Sequence, residues 1–157
     1  MPVVTAVHSF VIGGGIGICG ASDVVLASED AYFVLPGIDH GAMSGVAHIT
    51  RLFPQYKARA ALFTGGRITA AEAHRLGAVE RLVPGKRLLK EARAFTSLIA
   101  AKNRRALVLA KQALNALEGR DLERGYRIEQ GFAVAMLLRR APPKASGPGR
   151  GSGKPRR

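Results

Sequence analysis

An apolar, β-branched run, Ser9-Phe10-Val11-Ile12, arrives at three consecutive glycines, Gly13-Gly14-Gly15. A segment of small apolar residues, Ile16-Gly17-Ile18-Cys19-Gly20, leaves them. The pattern predicts a strand, a tight glycine turn, and then the first turn of a buried helix. Amides at such a helix N-terminus have no intrahelical acceptor and are aimed at an anion, or at one that develops during a reaction. Three glycines let a ligand approach that backbone without meeting a Cβ.

Around this turn the chain reads as alternating strands and helices. Residues 1–12 are almost all apolar or small and predict a strand buried on both faces, with His8 as a core histidine. A chain that opens on a central strand leads us to expect a further N-terminal portion. Asp23-Val24-Val25-Leu26-Ala27 and Ala31-Tyr32-Phe33-Val34-Leu35 predict two more strands, and Pro36-Gly37-Ile38-Asp39-His40-Gly41 a loop. Helices are expected from Ser44 or Gly45 to about Leu52, and from Gln55 to Thr64. Thr69-Ala70-Ala71-Glu72 has the form of a capping box, and Gly77 is placed to end the short helix that follows. After an extended stretch at 79–83 come three helices, near 86–102, 104–118 and 122–138. Leu107, Ala110, Lys111, Leu114 and Leu117 repeat at helical spacing, which predicts a half-buried face.

The formal net charge of +13 is unevenly placed. Seven of the 24 basic residues lie in 139–157, a segment with no acidic residue, so 17 basic stand against 11 acidic in the rest. The tail holds only Arg, Lys, Pro, Gly, Ser and Ala and is expected to be disordered. Its composition is also what an off-frame reading of GC-rich DNA produces. Nucleic acid is an unfavoured partner, because the body is only moderately basic and suits a phosphorylated small ligand equally. No run of about 18 apolar residues predicts a membrane span. A single cysteine, Cys19, excludes an internal disulfide, fits a cytoplasmic location, and is read as a core residue.

Ala6-Val7-His8, the glycine triplet, Asp23-Val24-Val25-Leu26-Ala27-Ser28, Ala31-Tyr32-Phe33, Pro36, Gly41 and Arg51-Leu52 follow one another in a recognisable order. They lead to Thr64-Gly65-Gly66-Arg67-Ile68-Thr69-Ala70-Ala71-Glu72-Ala73. This set resembles the enoyl-CoA hydratase/isomerase (crotonase) superfamily over about residues 2–138. Gly15-Ile16-Gly17-Ile18-Cys19-Gly20 and Tyr126-Arg127-Ile128-Glu129-Gln130-Gly131-Phe132 look most like actinobacterial members, some of which act on steroid-ring degradation intermediates. The resemblance implies an α/β fold, a partial crotonase-like spiral of ββα units over 1–85, truncated at its start. A C-terminal helical region over 86–138 and the basic tail complete the chain. It implies an acyl-CoA thioester as partner, hydration, isomerisation or ring-opening through an enolate, and no cofactor other than the coenzyme A of the substrate. Homo-oligomers, trimers or hexamers, are usual in the family.

By the same resemblance Gly14 supplies one N–H of the oxyanion hole, with Gly13 and His40 beside the substrate. The two family glutamates fall at Gly17 and Gly37, where no side chain can move a proton. The first oxyanion donor lies upstream in the family. Asp39, two residues past the second lost glutamate, is the candidate acid or base, and impaired catalysis is expected. Two other readings stand beside this one. One is a non-catalytic remnant that associates with full-length relatives. The other takes Gly15-Ile16-Gly17-Ile18-Cys19-Gly20, with Asp39 beyond it, as a dinucleotide fingerprint, which requires a strand–helix–strand unit ending at the acid. His40 and His48 lack further ligands, so no metal is expected.

Overall fold

The N-terminal apolar run is divided in two by Ser9, whose φ of +57° turns the chain. A computed structural model describes residues 1–119 and 121–138. β1 (Val4–Val7) precedes the turn and β2 (Phe10–Ile12) follows it. They do not pair with one another. β1 runs parallel to β3 (Val24–Ser28), which runs parallel to β6 (Arg81–Val83). β2 runs parallel to β4 (Tyr32–Val34), and β4 is antiparallel to the short β5 (Ile68–Thr69). The chain thus steps from one three-stranded sheet to the other at β1–β2 and again at β3–β4, and a helical segment follows each step. α1 (Gly14–Ala21) closes the first turn; a 3₁₀ turn (Pro36–His40), α2 (Val46–Leu52) and α3 (Gln55–Thr64) close the second. This is the expected spiral of ββα units.

The expectation of one strand buried on both faces is corrected by the Ser9 corner. β1 is half-buried throughout, and in β2 only Val11 is buried, while Phe10 and Ile12 face outward. Side chains alternate across so short a strand, so one residue in two is turned away from the core. His8 stands exposed at the corner, with Nδ1 3.0 Å from Ser9 Oγ, and is not a core histidine.

The core gathers Ile16 and Cys19 of α1, Val25 and Ala27 of β3, Phe33 of β4, and Ile49 of α2. Phe33 meets Phe53 edge-on, with ring centroids 5.5 Å apart. Burial pushes the Cys19 thiol up to about 11, which leaves it an uncharged packing residue as expected. α4 (Ala70–Arg75) is capped by Thr69, whose Oγ1 accepts the Glu72 N–H at 3.1 Å. The Glu72 carboxylate turns to Lys57 instead of closing the box, with 2.8 Å between them. Gly77 follows the helix with φ +80°, the left-handed conformation expected there.

Three longer helices, α5 (Leu88–Ala100), α6 (Arg104–Leu117) and α7 (Leu122–Leu138), complete the described chain. α5 packs on β1 and β3, and α7 lies along α2. The half-buried face expected on α6 is covered only in part. Leu107 and Lys111 are half-buried, Ala110 is exposed, and Leu114 and Leu117 are 64% and 80% exposed. Polar contacts of Lys111 and, at the end of the helix, of Glu118 also hold α6. The basic tail lies outside the described residues.

One of those contacts makes stability depend on pH. Asp23 Oδ2 accepts the Val3 N–H at 2.5 Å and Lys111 Nζ at 2.7 Å. Partial burial pushes its pKa up, but the Lys111 hydrogen bond, the Val3 amide and the Lys111 and Arg51 charges outweigh this and lower it. A carboxyl whose pKa folding lowers adds stability above its unfolded value, about 3.9. That stability is lost as pH falls through the lower, folded value. Below about pH 4, Tm of the parent chain is expected to fall more steeply than that of Asp23→Asn. Parallel Tm–pH curves would show that the latch contributes nothing.

Candidate functional site

The three glycines have three different jobs. Gly13 takes φ +51°, which turns β2 into α1. Gly14 is the first residue of α1, and a Cβ on it would meet nothing within 4 Å. Gly15 packs on β2, where a Cβ would lie 3.2 Å from Val11 Cγ1. The helical ladder begins with Ile16 N–H and Gly17 N–H donating to Gly13 O, at 3.0 and 3.3 Å. The Gly14 and Gly15 amides precede it, so they are the orphan donors of the helix start.

At Gly14 the start of α1 opens on a cavity of about 740 Å³ walled by three helices. Gly13, Gly14 and Gly17 form one wall; Ser44, Gly45 and His48 form the second, at the start of α2. α7 supplies the third with Tyr126, Glu129 and Gln130. The His48 and Tyr126 rings meet edge-on at 5.7 Å. On the far side of Glu129, an apolar groove of about 540 Å³ runs between α2 and α7, lined by Met43, Val46, Ile128, Phe132 and Met136. Glu129 borders both spaces.

Two features hold these walls together. At Gly20 the α1 backbone comes so close to α2 that a Cβ would lie 2.6 Å from His48 Cβ and 2.9 Å from its carbonyl oxygen. Arg51, near the end of α2, donates to Gly20 O and, at 2.8 Å, to Ser22 O. It also grips both oxygens of Glu118 at the end of α6, the shortest contact being 2.8 Å. One guanidinium therefore ties α1, α2 and the end of α6, using the fork geometry that lysine lacks.

The structure separates residues that the sequence reading grouped. Gly13, Gly14 and Gly17 share the cavity, but Gly37, Asp39 and His40 do not line it. The 3₁₀ turn that carries them is closed by the Ala42 N–H donating to Gly37 O at 2.8 Å, and it packs on α3. Asp39 consequently stands over Gly65, where a Cβ would be 2.8 Å from Asp39 Oδ2. Asp39, the candidate acid or base, thus stands outside the lining of the glycine cavity, and His40 is exposed beside it. A side chain at Gly37 would meet the Ala42 carbonyl oxygen at 2.8 Å, whereas one at Gly17 would enter open space. The dinucleotide fingerprint also lacks its frame: β2 and β3, which flank it, lie in different sheets.

Sequence reasoning missed Glu129. It is 4% exposed, and Oε2 accepts the Ala47 N–H at 2.9 Å across 82 positions of sequence. Oε1 is buried with no hydrogen-bond partner among the described residues. The available signal was an acid three residues after Tyr126 in a helix that also carries Ile128, Phe132 and Val134.

Comparison with known proteins identifies the class. A family model described as enoyl-CoA hydratase/isomerase matches residues 1–139. The chain belongs to the enoyl-CoA hydratase/isomerase family. It is 41% identical over 138 residues to the (7aS)-7a-methyl-1,5-dioxo-2,3,5,6,7,7a-hexahydro-1H-indene-carboxyl-CoA hydrolase of Rhodococcus jostii, covering 88% of this chain and 54% of that one. The hydrolase of the same description from Mycobacterium tuberculosis is also 41% identical, covering 88% and 56%. A solved carnitinyl-CoA dehydratase from Mycobacterium avium superposes with a TM-score of 0.80 at 28% identity, covering 87% of this chain and 56% of that one. The chain spans about half the length of the curated relatives it matches.

Proposed function

We propose that the glycine cavity binds a CoA thioester and stabilises the enolate of its acyl group through the Gly14 N–H. The observation that carries this is the Gly14 amide, an orphan donor at the start of α1 with no Cβ between it and a 740 Å³ cavity. Negative charge developing on a thioester oxygen gains most from donors that are already oriented and shielded from water. The reaction favoured is hydrolytic ring-opening of a ring-bearing acyl group. Water adds to a ring ketone, the adjacent carbon–carbon bond breaks, and its electron pair forms the thioester enolate. Gly17 and Gly37 carry no carboxylate for the addition of water to a double bond, and both 41% identical relatives bear the name of an indene-carboxyl-CoA hydrolase. Coenzyme A enters as part of the substrate, and no other cofactor is required. Among the described residues no helix is long and apolar enough to cross a membrane.

The test is a panel of butanoyl-CoA, crotonyl-CoA, 2-oxocyclohexanecarboxyl-CoA and free CoA, with binding followed by calorimetry and products by mass spectrometry. Thioesters are expected to bind in preference to free CoA. The cyclic keto thioester is expected to open, and crotonyl-CoA to remain unhydrated. A chain that binds none of them contradicts the proposal. The exposed Leu109, Leu114 and Leu117 of α6 favour a second reading, non-catalytic association with copies of itself or longer relatives. That reading stands if binding is absent and the chain co-migrates with a full-length relative in size-exclusion chromatography.

A further inference from the structure

We infer that Glu129 is the proton-transfer group of this cavity, with Oε1 taking the α-proton of the bound acyl group while Oε2 is held by the Ala47 N–H. The inference rests on the acyl-CoA reading above and names the residue that replaces the absent carboxylates. Three observations carry it. Glu129 is buried, yet only one of its oxygens has a donor. It lies on the border between the glycine cavity and the apolar groove. A thioester oxygen over Gly14 with its acyl group in the groove passes its α-carbon through that border. Finally, the positions from which the resemblance expects carboxylates, Gly17 and Gly37, offer none.

The plain alternative is a structural one, in which Glu129 only fastens α7 to the first turn of α2. A fastening needs one acceptor, and a neutral glutamine would supply it. A carboxylate oxygen buried without a donor is costly, and buried polar groups are otherwise almost always paired. The contact with Ala47 also orients the group. An acid or base must be held within reach of the proton it moves, and the Oε2 bond fixes the carboxylate plane while Oε1, buried at the border of the two spaces, is left without a donor. His48 and Tyr126 line the same cavity, but their rings meet edge-on and pack against one another.

The step balances within the site. The α-carbon–hydrogen bond breaks and its proton forms an O–H bond at Glu129 Oε1. The electron pair passes to the thioester oxygen, where the Gly14 N–H meets the charge. In the return direction the same proton, or a deuteron exchanged from solvent, is delivered to the carbon. After a ring-opening step, the proton released by the attacking water is passed through Glu129 to the α-carbon and quenches the enolate.

The full chain is incubated with butanoyl-CoA in deuterium oxide. Deuterium at the α-carbon is read by mass spectrometry, and affinity is measured separately by calorimetry. Glu129→Gln keeps an acceptor for the Ala47 N–H, so it is expected to bind butanoyl-CoA like the parent and to exchange about 100-fold more slowly. Glu129→Asp keeps the carboxyl group but withdraws it by one methylene, and is expected to exchange about 10-fold more slowly. Exchange at the parental rate in Glu129→Gln overturns the inference and leaves the binding reading intact. Should Glu129→Gln fail to fold, parental exchange in Glu129→Asp overturns it equally. A parent that binds butanoyl-CoA and exchanges nothing overturns the role of Glu129 alone. A parent that binds no thioester overturns the acyl-CoA reading, and this inference with it.

Discussion

Gly14→Pro is expected to lower turnover of any acyl-CoA that the chain accepts by about 10²–10³-fold, the range seen when a single oxyanion donor is removed. The substitution deletes one N–H with little else. Gly14 is the first residue of α1, the position where proline is most readily accepted because that N–H has no helical acceptor. A side chain there meets no atom within 4 Å. Gly14→Ala is the control, since it adds a Cβ in the same open space and keeps the N–H. Turnover near the parental rate in Gly14→Ala, with Tm alike in all three proteins, assigns the loss to the amide. Equal turnover in Gly14→Pro and the parent would remove Gly14 from the chemistry and leave it as a turn residue.

Gly20→Val is expected to have the largest effect on stability. A Cβ at this position is 2.6 Å from His48 Cβ and 2.9 Å from His48 Cα and O, so most of what it meets is backbone. Backbone yields far less readily than the tip of a flexible side chain. The crossing is further clamped by Arg51, which holds Gly20 O and Ser22 O from the end of α2. Overpacking of this kind costs about 3 kcal/mol. In a domain of this size that is a fall in Tm on the order of 10 °C by circular dichroism. Because α1 and α2 are two walls of the cavity, thioester binding should be lost with it. Gly20→Ala is expected to fall between the parent and Gly20→Val. A valine variant that melts within about 2 °C of the parent would mean that the two helices are not in contact as described.

The two substitutions differ in how readily the sequence exposes their reasons. The role of Gly14 is local. A β-branched run, three glycines and a small apolar segment can turn in few ways, and the amides that precede the first ladder bond follow from helix geometry. The Thr69 cap and the Gly77 stop are legible for the same reason, because their partners lie within a few residues. Gly20 is another matter. It reads as one more glycine in a glycine-rich stretch, and only the passage of α2 across it makes that position intolerant. The α6 face errs in the opposite direction. Leu114 and Leu117 have helical spacing, but spacing shows which residues share a face and not whether anything covers it.

By itself, the sequence determined where the helices fall, the glycine turn with its two orphan amides, and the family to which the chain belongs. These rest on short-range patterns and on the collinear order of motifs, both of which a linear reading can follow. Only the tertiary structure decided which groups meet around those amides. Asp39, 25 residues after Gly14, is carried away by a 3₁₀ turn that closes on itself and packs on α3. Glu129 is brought in from 82 positions beyond Ala47 by the packing of α7 on α2. Neither outcome is encoded in local spacing, because a side chain's neighbours in a packed interior are set by how helices cross and not by their distance along the chain.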